Sequence, residues 1–117
     1  MYYKQEIGKN GENKVCKYLE KKGYKILDKN FSCKIGEIDI IALEKEQIIF
    51  IEVKTRTNCN YGLPSEAVNK KKIKNIYRTA ELYMATRNLY CIDTRIDVIE
   101  VYYDNGKPKI NHIEQVV

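Results

Sequence analysis

The run Ile48-Ile49-Phe50-Ile51, followed by Glu52-Val53-Lys54, constrains this chain more than any other stretch. The first four positions are all apolar, so neither face of a strand built here tolerates water. Such a strand is central in its sheet and covered on both sides. Its far end changes character. Side chains alternate along a strand, so Glu52 and Lys54 share one face and Val53 takes the other. A buried strand thus ends in a charged pair.

The surrounding sequence supplies the rest of a sheet. Residues 6–22 read as a helix stopped by Gly23, with Val15, Cys16, Tyr18 and Leu19 as its apolar side. Residues 24–31, 35–43 and 47–54 read as three strands, the last two joined by a hairpin turn at Glu44-Lys45-Glu46. Residues 56–64 form a loop, and Ser65 is placed to cap a second helix that runs to Thr86. On that helix Tyr77, Ala80, Leu82 and Tyr83 supply the buried side. A strand over residues 94–103, the turn Asp104-Asn105-Gly106 and a short last strand over 110–113 complete the chain. The order is αβββαβ with one possible extra strand. Hairpin strands pair antiparallel and a helical crossover returns parallel, so the expectation is an α/β fold: a mixed sheet flanked by helices, in one domain over residues 1–117.

The simplest hairpin sets Leu43 against Ile48. Asp39 then lies opposite Glu52, and Glu37 opposite Lys54, with all four side chains on one face. Opposed like charges destabilise a strand pair, because facing Cβ atoms are only ~4.5–5.5 Å apart. A divalent cation such as Mg²⁺ or Mn²⁺ would relieve the repulsion through hard oxygen ligands. A metal-free ion-pair cluster with Lys54 is the alternative. Glu12 adds to the case. Val15, Cys16 and Leu19 fall within about 60° of it on a helical wheel, which sets a carboxylate in the apolar face of the first helix. That is costly unless the group is paired or coordinated. Its other reading is a rim carboxylate favoured by the helix dipole.

Composition narrows the function. At 117 residues and 44% hydrophobic, the chain can fill one core, and no stretch approaches the ~20 apolar residues of a membrane span. With a polar start and no signal-peptide pattern, a soluble cytoplasmic protein is expected. Cys16, Cys33, Cys59 and Cys91 are scattered and His112 is the only histidine, which argues against zinc and for reduced thiols. The net charge of +5 suits a polyanionic partner. Between Ala67 and Ala80 the chain carries Lys70, Lys71, Lys72, Lys74 and Arg78 with no acidic residue. Lysines early in a helix favour backbone phosphates, and a solvated helix face is the alternative reading.

These residues carry a resemblance. Asp39 followed by Glu52-Val53-Lys54 resembles the PD-(D/E)xK nuclease pattern of restriction endonucleases and archaeal Holliday-junction resolvases. The blocks Gly11-Glu12, Gly36-Glu37-Ile38-Asp39-Ile40-Ile41-Ala42, Phe50-Ile51-Glu52-Val53-Lys54-Thr55-Arg56, Tyr61-Gly62, Pro64, Ala67-Val68 and Arg95-Ile96-Asp97-Val98 are similar to the bacterial YraN-like family over nearly the whole chain. The resemblance implies a restriction-endonuclease-like αβββαβ core. It implies that Asp39 and Glu52 ligate Mg²⁺ with help from the Val53 carbonyl. Lys54 would orient or activate the attacking water, and Glu12 would contribute from the first helix.

The expected activity is metal-dependent hydrolysis of phosphodiester bonds in nucleic acid, with DNA, branched or structured, as the substrate. The alternative is a non-catalytic nucleic-acid-binding module on the same fold. Arg56 would continue the charged face and grip a phosphate, or pair with Glu37 or a loop carboxylate. Asp97 is expected to pair with a nearby base, and Tyr102 and Tyr103 are read as strand residues or as stacking platforms for bases. A homodimer is compatible with junction cleavage. The apolar tail Val116-Val117 would dock on the domain or on a partner.

Overall fold

The computed structural model describes residues 2–56 and 70–116, with side chains from Gly11 onward. Helix α1 (Tyr2–Lys21) leads into strands β1 (Lys25–Ser32), β2 (Glu37–Glu44) and β3 (Gln47–Arg56). Helix α2 (Lys70–Thr86) follows, then β4 (Asp93–Asp104) and β5 (Lys107–Ile113). The expected loop beyond Arg56 and the Ser65 cap lie outside the described residues. The first helix begins earlier than its apolar periodicity suggested. The last strand is a full partner to β4 rather than a short appendage.

The five strands form one sheet in the order β1-β2-β3-β4-β5. β1–β2, β2–β3 and β4–β5 are antiparallel, and β3–β4 is parallel. That is a mixed α/β sheet with two helices, and it fits a restriction-endonuclease-like core. The all-apolar run makes β3 the central strand, as its sequence required. Ile49 and Ile51 are buried with Val15, Cys16 and Leu19 of α1. Ile48 and Phe50 are buried with Ile76, Ala80 and Tyr83 of α2. The Tyr83 ring meets Phe31 and Phe50 edge-on, with centroids 5.1 and 5.8 Å apart, an arrangement that favours aromatic pairs beyond their buried area. Tyr77 and Leu82, expected on the buried side of this helix, are instead exposed at 51% and 38%. The helix presents only a narrow stripe to the sheet, and both side chains fall outside it.

The expected hairpin register holds, but only in part. Leu43 faces Ile48 and Ile40 faces Ile51, and there the ladder between β2 and β3 stops. β3 continues to Arg56 on its other edge, paired with β4 as far as Tyr102. The two hairpin strands therefore part beyond Ile40 and Ile51, which opens a fork in the sheet. Glu37 does not face Lys54 across a ladder, because no ladder exists there.

On β4 Asp97, fully buried and level with Ile51, is saturated. Arg95 reaches both its oxygens at 2.8 and 2.9 Å, His112 Nε2 lies 2.7 Å away, and the Gln115 amide donates at 3.0 Å. His112 in turn contacts the Tyr18 hydroxyl through Nδ1 at 2.9 Å. Burial works against the charged form of Asp97, but the bonds from His112 and Arg95 prevail and hold its pKa below the usual carboxylate value. This cluster ties α1, β4, β5 and the tail together, in line with a structural role for Asp97. Val116 docks on this domain, packed against the α2-side core, with its amide donating to the Ile96 carbonyl at 2.9 Å.

Candidate active site

The fork is built by three local devices. Asn30 adopts φ 53° within β1, a left-handed conformation that asparagine tolerates better than most residues. It stands between the paired positions Lys29–Ile40 and Phe31–Ile38, and so beside Asp39. Gly11 brings α1 against β3, where an added Cβ would collide with Thr55 Oγ1. Gly36 lets the β1–β2 turn approach α2, where a Cβ would lie 3.2 Å from Thr79 Oγ1.

Asp39 and Glu52 meet at the fork. Where the ladder ends, the Val53 amide donates to Asp39 Oδ2 at 2.8 Å, so a carboxylate replaces a backbone carbonyl as its acceptor. Glu52 is only 6% exposed. Burial, and then the negative charge of Glu52, push the Asp39 pKa from 3.8 up to about 7. Two carboxylates thus share a poorly solvated corner, the electrostatic problem foreseen from the hairpin.

Lysines answer it in part. Lys72 of α2 lies 2.7 Å from Glu52 Oε1, and Lys54 lies 3.7 Å from the same oxygen. Burial and the neighbouring Lys72 lower the pKa of Lys54. Burial also acts to lower that of Lys72, but the hydrogen bonds to Glu52 and Lys54 outweigh it and raise it. A cleft of about 290 Å³ opens here, lined by Gly36, Glu37, Asp39, Glu52, Lys72 and Asn75, among others.

Glu12 stands back from this pair. It is half-buried on α1 and hydrogen-bonded to the Asn30 side chain. Its pKa is raised, first by burial and also by the charges of Glu37 and Glu52. Its charge in turn helps raise Asp39. Glu12, Asp39 and Glu52 do not bring ligand atoms within 4.8 Å of one another. Among the described residues only Asp97, His112 and Glu114 do so, and there the Arg95 guanidinium already serves as the cation, 2.8 Å from Asp97 and 3.6 Å from Glu114. Mg²⁺ is commonly held by one or two carboxylates together with water and substrate phosphates. The hard donors Asp39 and Glu52, with the Val53 carbonyl nearby, fit that requirement without Glu12.

Among the described residues Arg56 is tied to Glu100 rather than to Glu37, and the loop carboxylate lies outside them. Its Nε bonds Glu100 Oε2 at 3.1 Å. Glu100, 2% exposed, has no partner for its other oxygen among the described residues. It sits beside Lys54 in the β3–β4 register. Lys70, Lys71 and Lys74 point to solvent, whereas Lys72 turns inward.

Glu100 escaped the sequence reading, and Lys72, expected as a phosphate-binding or solvated lysine, was not expected to pair with Glu52, although both signals were present. Lys72 falls on the stripe of Ile76, Thr79 and Tyr83, at helical spacings of four, seven and eleven residues. Glu100 continues the alternation Ile96, Val98 along β4. A larger cleft of about 530 Å³, lined by Phe50, Tyr77, Met84, Tyr90 and Ile92 among others, lies apart from these carboxylates.

Residues 11–101 match the profile of the family described as "Uncharacterised protein family UPF0102", a span that includes Glu12, Asp39, Glu52, Lys54, Lys72 and Glu100. A UPF0102 protein of Caldanaerobacter subterraneus subsp. tengcongensis is 54% identical over 113 residues, covering 94% of this chain and 93% of its own. One from Clostridium acetobutylicum is 50% identical over 97 residues, covering 83% and 80%. One from Syntrophomonas wolfei is 41% identical over 109 residues, covering 93% and 95%. With a match of that extent and relatives that align along nearly their full length, this chain belongs to the UPF0102 family.

Proposed function

We propose that this protein is a divalent-metal-dependent nuclease that hydrolyses phosphodiester bonds in nucleic acid, with branched or structured DNA as its substrate. One observation carries the reading: at the fork between β2 and β3, Asp39 and Glu52 converge in a cleft with Lys54 on the same oxygen of Glu52. Hydrolysis forms a bond from a water oxygen to phosphorus and breaks the P–O bond to the leaving oxygen, which takes up a proton. Asp39 and Glu52 would hold Mg²⁺ or Mn²⁺, which when bound supplies charge relief at the phosphate and a more acidic water. Lys54 would orient or activate the attacking water. Arg56, braced through Nε by Glu100, leaves its terminal nitrogens to receive a phosphate. The exposed Lys70, Lys71 and Lys74 extend a positive track along α2. No helix among the described residues is long and apolar enough to cross a membrane.

The test is cleavage of single-stranded, duplex and four-way-junction DNA with Mg²⁺ or Mn²⁺, beside Asp39→Asn and Lys54→Ala. Loss of at least about a hundredfold in both variants is expected. Cleavage unchanged in both would refute the site. Binding without cleavage on every substrate would leave a nucleic-acid-binding module.

A further inference from the structure

Lys72 alone of the α2 lysines Lys70, Lys71, Lys72 and Lys74 turns from solvent toward the carboxylates. Its ammonium contacts Glu52 Oε1 at 2.7 Å, inside the cleft that also contains Asp39. Lys54 stands 3.7 Å from the same oxygen. Two carboxylates therefore face two ammonium groups. A divalent ion entering this corner would meet both cations, and at such distances that repulsion is substantial even with water nearby.

The two lysines differ in what carries them and in their exposure. Lys54 belongs to β3, where its backbone is held in register with Glu100 of β4. Lys72 lies near the start of described α2 on a four-carbon stem, and its side chain is 39% exposed. On the outer side of the same helix stretch stand Lys70, Lys71 and Lys74. A phosphate that approached along those lysines would reach Lys72 next.

We propose that Lys72 is a displaceable internal counter-ion: it neutralises Glu52 in the free protein and transfers to a substrate phosphate as the divalent ion binds. This inference rests on the nuclease reading and adds regulation to it. Metal affinity is low without nucleic acid, because Lys72 occupies the carboxylate corner. Nucleic acid draws Lys72 away and so tightens metal binding. Linkage makes the effect reciprocal, so metal tightens nucleic-acid binding by the same factor. The device restricts loading of the site to the substrate complex.

The experiment is titration of Mn²⁺ onto the full chain, with and without a phosphorothioate-substituted four-way junction, followed by calorimetry. Lys72→Met and Lys72→Gln should bind Mn²⁺ on the order of tenfold more tightly than the native protein when DNA is absent. Lys72→Arg, which keeps the charge, should not. Lys45→Met, in the distant β2–β3 turn, should match the native protein. The junction should tighten Mn²⁺ binding several-fold in the native protein and much less in Lys72→Met. Unchanged or weaker Mn²⁺ binding in both neutral variants, with Glu52→Gln still abolishing it, would overturn the counter-ion role and leave the metal site standing. A native protein that binds no Mn²⁺ with or without DNA would overturn both.

Discussion

Asp39→Asn isolates the electrostatic cost of the fork. The carboxyl of Asp39 is pushed from 3.8 up to about 7, by burial first and by Glu52 second. Between those values the folded protein keeps a proton on Asp39 that the unfolded chain has released. Stability therefore falls as pH rises through this window. At about 1.4 kcal/mol per pH unit the ceiling is roughly 4 kcal/mol, and partial access to water reduces it to about 2. The amide that replaces the carboxylate still offers an oxygen to the Val53 N–H, so the hydrogen bond survives while the charge goes. Urea unfolding in EDTA, for both proteins from pH 4.5 to 8, reads the effect. The variant should equal the native protein near pH 4.5 and exceed it by about 2 kcal/mol at pH 8. Added Mn²⁺ should stabilise the native protein at pH 8 and leave the variant unmoved. A stability difference that stays constant with pH, or that shrinks as pH rises, would refute the claim that Asp39 carries an unfavourable charge in the fold.

Three further outcomes follow from the packing. Arg56→Ala strands the buried Glu100 carboxylate without its one ion-pair partner among the described residues and should cost about 3 kcal/mol; Glu100→Gln in the same background should recover much of it, by urea midpoint. Gly11→Ala sets a methyl against Thr55 Oγ1, and Thr55→Ala should relieve it, so the double-mutant cycle should show a coupling of about 1 kcal/mol. Asp97→Ala leaves Arg95 and His112 without the carboxylate that both contact and should cost at least about 3 kcal/mol. Because the Asp97 pKa is held low, its charge stabilises the fold above the ordinary carboxylate range, and that stabilisation is lost on acidification. The cost of Asp97→Ala should therefore shrink at low pH, a trend opposite to that of Asp39→Asn.

Much of this molecule is legible in local patterns. An uninterrupted apolar run can only be a strand covered on both faces, and β3 is that strand. Two-residue alternation puts Glu52 and Lys54 on one side, and the hairpin turn brings Asp39 to them. The order of elements and the sheet class followed from periods and spacings that each lie within a few neighbouring residues, and the family from a resemblance of whole blocks.

What local patterns do not contain is where pairing stops and which distant groups meet. Alternation extended the β2–β3 ladder to Glu37 and Lys54, but the strands part after Ile40 and Ile51. The Asp39 carboxylate takes the Val53 amide there, in place of a backbone carbonyl. Local patterns offered Lys72 only a phosphate or solvent, and offered Arg56 a phosphate, Glu37 or a loop carboxylate. Their true partners, Glu52 and Glu100, lie on other strands, and only the closed sheet with α2 laid across it brings them together. The sequence by itself determined the buried strand and the charged residues at its end. The tertiary structure decided which opposite charges answer them, because ion pairing depends on distances of a few ångströms that no single element sets.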